Sequence, residues 1–338
     1  MLDWQGSIPG HAGGIVPPCI GACGRYILNA PHLRALNNAV EKKMKRIHVP
    51  GVVDVVTSDD RSEIEALAAN PKLDRAYTDR SIPANAAILG QLLDVLQIGG
   101  KRFPTVSPRD DSARAEAQDA LWNRLNSIAA TYAAGPDSLE DLASFVRGNG
   151  TDDGAGMLVQ QVVGALFAPG FKATPESWDA ALVLAQAPGN LNPLQTVVWA
   201  VNHKVDSAKV LLAGLVGGDL AAVHAIGIAL HHIVSGVNLM RQLYADPANR
   251  TALSPDAASA RCLFAPDSVL RQATAPDDSG NYQFDTGTLV QLKLQDASAK
   301  APDADLAFLR NTWSRCPAEQ WVPALLAGIW LRACQGAG

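Results

Sequence analysis

Charge is scarce in this sequence, and so are aromatic rings and cysteines. Of 338 residues 18% are charged, 28 basic against 33 acidic for a net charge of −5, and 6% are aromatic. With no block of Lys or Arg there is no electrostatic footprint for nucleic acid, and none is expected as a partner. The five cysteines, Cys19, Cys23, Cys262, Cys316 and Cys334, are odd in number and widely spread. Residues 1–4 lack the positive and apolar regions of a signal peptide. A reducing cytoplasm is therefore expected, where a special cysteine is a ligand or nucleophile rather than half of a disulfide. The sequence has no Gly-rich phosphate loop, Gly-x-Ser-x-Gly elbow or His-Glu-x-x-His. Cys19 and Cys23 have no second ligand pair. His224, His231 and His232 share a helical face without an accompanying acidic cluster, which argues against a di-metal site.

What is present is apolar. Nearly half the residues, 48%, are hydrophobic, enough for a sizeable core. Residues 210–230 are long enough to cross a bilayer. Asp219 sits near the centre of that stretch, however, with His224 and four glycines. A mid-bilayer Asp costs ~2.5–3.5 kcal/mol, so a core helix is expected and no membrane anchor.

Helical periodicity predicts helices over residues 32–46, 62–69, 112–133, 137–147, 153–167 and 175–187. Asn192-Pro193 opens a long apolar helical region expected to break at Ser235-Gly236, with the next helix stopping at Asp246-Pro247. Strand signals fall at 52–56 and 268–274. Val290, Leu292 and Leu294 alternate with Gln291, Lys293 and Gln295 like a half-buried strand. A last helix is expected over 317–333. No repeat or linker divides the chain.

Several weak motifs in a fixed order carry a family resemblance. The stretch ARCLFAPDSVLRQATAPDDSGNYQFDTGTLVQLKL (260–294), followed by SRCPAEQWVPALLAGIWLRAC (314–334), resembles the C-terminal part of a cytochrome P450. Upstream, VLLAGLVGG (210–218) lies where that family carries its distal I helix, and residues 51–75 resemble its N-terminal sheet and B helix. The resemblance implies a mainly α fold with small β-sheets in one domain over 1–338. The sheet and B-helix region would occupy about 1–80, and the helical core and haem region about 105–338. It also implies haem b as cofactor, with Cys316 as the axial iron ligand.

Cys316 precedes Pro317 and an apolar helical pattern, so it is read at or just before a helix N-terminus, where a thiolate is favoured. A buried structural thiol is the alternative. By resemblance Arg271 pairs with a haem propionate through its guanidinium fork, against a solvated strand-end charge. Arg310 and Arg315 would supply a second propionate contact in place of the usual basic residue at Ser314, and Arg114 a weaker third. Thr312 replaces a loop glycine, and Pro323 is expected to kink the helix or cost it a hydrogen bond. Arg261 lacks the Glu that the family places at position 258, here Ala258, so it needs another acceptor or exposure.

In the distal segment Val216 and Gly217 replace the acid and alcohol that relay protons to dioxygen. Gly217 and Gly218 leave open space there, like the allene oxide synthase branch, and Asp219 is the only nearby acid unless it lies on the helix's polar side. The expected activity is oxidative or isomerising chemistry on a small apolar or hydroperoxide-type substrate, with a redox or pathway protein as a further partner. The alternative is a haem-free relative kept as scaffold or helper.

Overall fold

The β-branched run Val53–Ser58 forms a strand buried along most of its length, and it links the two ends of the described chain. The computed structural model describes residues 44–150, 154–187, 202–278, 283–298 and 304–336. Strands β1 (Met44–Val49) and β2 (Val53–Ser58) form an antiparallel hairpin. Helix α1 (Arg61–Ala69) starts where Asp60 accepts the Glu63 N–H, and β3 (Leu73–Asp74) follows. Helix α2 (Pro83–Leu96) opens with proline at its first position and leads into a small hairpin, β4 (Gln97–Ile98) and β5 (Lys101–Arg102).

The Asp111 carboxylate caps α3 (Ser112–Ala133), and α4 (Glu140–Val146) and α5 (Gly154–Phe167) follow. A Thr174–Ser177 capping box opens α6 (Pro175–Gln186). Beyond it come α7 (Lys204–Leu215) and the long α8 (Leu220–Ala245), which widens to π geometry over Ala225–Ala229. The remaining elements are α9 (Pro247–Ala252), α10 (Pro255–Arg261), β6 (Val269–Ala273), β7 (Leu289–Leu292), α11 (Leu294–Ser298), α12 (Ala304–Phe308) and α13 (Trp321–Gln335).

The main sheet has the order β1-β2-β7-β6-β3. Its β2–β7 pair is parallel, with Val55 opposite Leu289, and its other pairs are antiparallel. Arg271 lies opposite Val290. The large apolar cluster extends from Val56 and Ile64 to Leu325, Ile329 and Trp330, while Val55, Tyr77, Leu89 and Leu289 form a second, small one. The most buried helix, α13, packs on α3, α4 and α10. By length and composition α8 could cross a bilayer, at mean hydropathy 1.6, but 61% of that stretch is buried within the protein. The fold is mainly α with small sheets, as the sequence led one to expect.

Several elements differ from expectation. The helix predicted over 32–46 lies outside the described residues except for 44–46, which are strand because β2 supplies their backbone partners. The start of the long helical region, at Asn192-Pro193, also lies outside them. The expected break at Ser235-Gly236 is absent. Gly236 serves a close approach instead: a Cβ there would lie 2.5 Å from the Cys262 carbonyl oxygen. The chain breaks earlier, at Gly217 and Gly218, whose φ of 65° and 81° suit glycine. Strand β7 is buried on both faces rather than one, because Gln291 donates its side-chain N–H to Ser268 Oγ at 3.0 Å, and Leu294 begins α11. The last helix starts at Trp321, not 317, so Pro323 sits in its first turn, between the Val322 N–H bonded to Ala318 O and the Ala324 N–H bonded to Gln320 O.

Candidate functional site

Cys316 lies in the loop between α12 and α13, four turn residues before the helix begins. Thr312, which stands in place of a glycine, supports this loop: its hydroxyl donates to Leu309 O at 2.9 Å and accepts the Ser314 N–H at 3.3 Å. The Cys316 N–H donates to Phe308 O at 2.8 Å. Burial pushes the thiol's pKa up and Glu319 adds to the rise, while a hydrogen bond from the Ala318 N–H and the nearby Arg75 charge pull it down. The helix-terminus argument for a thiolate is thereby corrected. One backbone N–H and a guanidinium favour the anion, and a bound cation would be needed to complete its deprotonation.

Three residues before Cys316, Trp313 is surrounded by arginines. The guanidiniums of Arg75, Arg109, Arg114 and Arg271 lie 5.4, 5.0, 5.2 and 5.3 Å from its ring centroid. Arg271 is fully buried on β6, donating to Leu270 O at 2.9 Å and Ser314 Oγ at 2.7 Å. Arg114 donates to Pro108 O, Trp313 O, Arg109 O and Gln118 Oε1. Arg75 donates to Thr105 O at 3.0 Å. Among the described residues none of the four pairs with a carboxylate. The nearby Asp74 carboxylate is taken by the backbone N–H groups of Arg75 and Arg109. Burial lowers the pKa of Arg75 and the Arg114 charge adds to the drop, and that of Arg271 falls well below the usual range with Arg75 adding its repulsion. Arg271 Nε, Arg109 Nε and Trp313 Nε1 are buried without hydrogen-bond partners among the described residues. Four guanidiniums, with Asp74 the one carboxylate whose charge acts on Arg75 and Arg271, make a cradle for an anion.

No family model matches the sequence, and no curated protein matches it. Solved structures do. A variant of cytochrome P450 OleT in complex with arachidonic acid matches at TM-score 0.58 and 10% identity, covering 91% of this chain and 86% of that one. Cytochrome P450EX alpha with myristic acid matches at 0.57 and 13%, covering 90% and 86%. P450BioI, in complex with an acyl carrier protein ligated to hexadec-9Z-enoic acid, matches at 0.55 and 14%, covering 89% and 88%. The chain has the cytochrome P450 fold.

Within this P450 fold the expected site residues separate. Cys316, Arg271 and Arg114 come together around the cradle. Arg310 and Arg315 do not: Arg310 is turned to Asp305 at 3.2 Å and towards Glu319, and Arg315 stacks over Trp122 at 4.0 Å. Ser314 leaves the basic position without a charge, and Arg109 and Arg75 fill the gap from other elements. Gly217, Gly218 and Asp219 stand at the surface between α7 and α8. The two glycines form an exposed turn after α7, and Asp219 caps α8 by accepting the Ala221 and Ala222 N–H groups at 2.9 and 3.2 Å. Arg261 is exposed and Ala258 buried, so the family's ion pair on that helix has no counterpart here.

The helix that runs beside the cradle is α8. Its His224 Nδ1 lies 3.1 Å from Thr105 Oγ1, and Thr105 O accepts from Arg75. Burial pushes His224 and His232 down to about 4, yet both keep some accessible surface. His231 faces elsewhere, 3.1 Å from Ala181 O and stacked near Trp178. Among the described residues no three His, Cys, Asp or Glu side chains form a metal cluster.

The residues present fit a haem. A flat macrocycle with two propionates would supply carboxylates to the cradle, and Cys316 would supply a single thiolate for the iron. Arg75, Arg109, Trp313 and Thr105 carried no periodicity or motif to mark them. His224 stood out in sequence only as a metal candidate.

Proposed function

We propose that the protein is a haem-thiolate oxidoreductase that acts on a long apolar substrate and takes its oxygen from a peroxide or hydroperoxide. Cys316 would hold the iron, and Arg271, Arg114, Arg109 and Arg75, with the Trp313 N–H, would hold the propionates. When bound, the haem supplies an oxidising iron centre. The cradle orients the group and neutralises its carboxylates, and the apolar helices keep water out. The observation that carries this reading is the cluster of three buried guanidiniums and the half-buried Arg109 around Trp313, none paired with a carboxylate, beside Cys316.

The peroxide preference no longer rests on Val216 and Gly217. It rests on α8, where residues 220–234 contain no Asp, Glu, Ser or Thr to relay protons to dioxygen. Support for a long-chain substrate comes from neighbours of the same fold, whose structures hold arachidonic acid, myristic acid or an acylated carrier protein. An acyl carrier is therefore a partner to test. Ala258 and the exposed Arg261 favour the competing reading, a haem-free helper.

Two assays on one fatty-acid panel decide the chemistry. Hydrogen peroxide or a fatty-acid hydroperoxide alone should support more turnover than dioxygen with a surrogate reductase. Efficient coupling in the reductase arm with none in the peroxide arm would overturn the peroxide reading, and a protein that cannot be loaded with haem would leave the helper.

A further inference from the structure

We propose that His224, held by Thr105, is the proton acceptor of this site: it takes the proton of a hydroperoxide, or of another weak protic acid, that enters beside the haem. This rests on the haem reading above and assigns a role to a residue outside the thiolate and the cradle.

Three features converge on His224. Its Nδ1 lies 3.1 Å from Thr105 Oγ1 in the short 3₁₀ turn Pro104–Val106. With Nδ1–H donating to that hydroxyl, Nε2 keeps a free lone pair. The same threonine's carbonyl accepts from Arg75, whose charge acts on both His224 and Cys316, so the imidazole is tied to the cradle through one residue.

The backbone also changes where His224 stands. Immediately after it α8 widens to π geometry, a rare form often found at functional sites. Within this segment Gly227 is pressed against its neighbours, since a Cβ there would lie 2.9 Å from both Leu184 and Leu212 side chains. Beyond the widened turn His231 meets the Ala181 carbonyl at 3.1 Å, and His232 adds to the lowering of the His224 pKa.

The third feature is protonation state. The groups acting on His224 are Arg75 from the loop after β3, His232 from its own helix, Thr105 and the Phe103 ring at 6.0 Å. None of these is an anion, so the imidazole is neutral and ready to accept a proton throughout the ordinary working range. In the step itself the X–H bond of the acid breaks, its electron pair stays on X, and the proton forms an N–H bond at Nε2. No oxidant or reductant is consumed.

Cyanide binding to the haem-loaded protein tests this without turnover, because hydrogen cyanide enters neutral and must give up its proton to bind as an anion. Haem content of the parent is measured first. The parent's association rate should stay flat between about pH 5 and 8 and fall as pH approaches the His224 value of about 4. His224→Leu and His224→Gln should each slow association about 100-fold at unchanged haem content, the lower end for general acid–base catalysis. Two substitutions are used so that misfolding of one leaves the other to decide. Thr105→Val, which frees the imidazole to turn, should fall between them and the parent. A haem-loaded His224 variant that binds cyanide at the parental rate overturns this assignment alone. A parent that cannot take up haem overturns the site reading and this assignment together.

Discussion

Arg271→Met separates a binding role from a structural one, because the two roles change different signs. The side chain is fully buried and makes two hydrogen bonds, to Leu270 O and Ser314 Oγ. Neither acceptor is orphaned by its removal, since Leu270 O also accepts the Tyr77 hydroxyl at 2.7 Å and Ser314 Oγ lies 3.2 Å from Thr312 Oγ1. Meanwhile Nε has no partner among the described residues, and Arg75 and Arg109 add repulsion. Replacing a buried, unpaired cation by an apolar side chain of similar length is expected to be neutral or stabilising by about 1–4 kcal/mol in the haem-free protein. The same change removes a charged hydrogen bond to a propionate, worth about 1.5–3 kcal/mol, or roughly 10- to 100-fold in haem affinity. Urea unfolding of the haem-free protein and a haem titration measure the two quantities on one sample. The expected result is a urea midpoint equal to or above the parent's, with weakened haem binding. A lowered midpoint with unchanged haem affinity would refute the cradle and make Arg271 a structural residue.

The buried histidines give a pH dependence. His224 and His232 titrate at about 4 in the fold, below the ordinary 6.5, so the unfolded chain binds more protons between those values. Stability should hold above about pH 6.5 and fall as pH drops towards 4, by roughly 3 kcal/mol per imidazole, and His232→Gln should flatten part of that slope in urea titrations. Trp330→Ala, at a site 1% exposed and edge-on to Tyr244, should cost about 3–5 kcal/mol, read as a drop in urea midpoint. Pro323→Ala should leave stability within about 1 kcal/mol of the parent, because the N–H it restores in the first helical turn offsets the backbone freedom it returns to the unfolded chain. A gain of several kcal/mol would mean that the proline interrupts the helix rather than standing in its first turn.

Where periodicity and capping chemistry agreed, the sequence was legible. Helical periodicity over 112–133 located α3, and the strand signal at 52–56 located β2 to within two residues. The order of weak motifs located β6 with Arg271 and the loop with Cys316. Glycine misled twice, because its two uses look alike in sequence. Gly236 allows the Cys262 carbonyl to approach an unbroken helix, whereas Gly217 and Gly218 supply the positive φ that ends one. The motif at 210–218 thus falls on the end of α7 and an exposed turn rather than inside one continuous helix. The cradle was half legible: Arg271 and Arg114 came with the family order. Arg75 and Arg109 converge on Trp313 only through tertiary packing, which no local pattern encodes.

The most direct test is the visible spectrum of the protein titrated with haem, reduced and exposed to carbon monoxide, alongside Cys316→Ala. The parent should take up one haem and show the long-wavelength Soret band of a thiolate-ligated, CO-bound iron. Cys316→Ala should lose that band while keeping its helical circular dichroism. A parent that takes up no haem, or a Cys316→Ala variant whose CO spectrum matches the parent's, would contradict the assignment of Cys316 as the iron ligand.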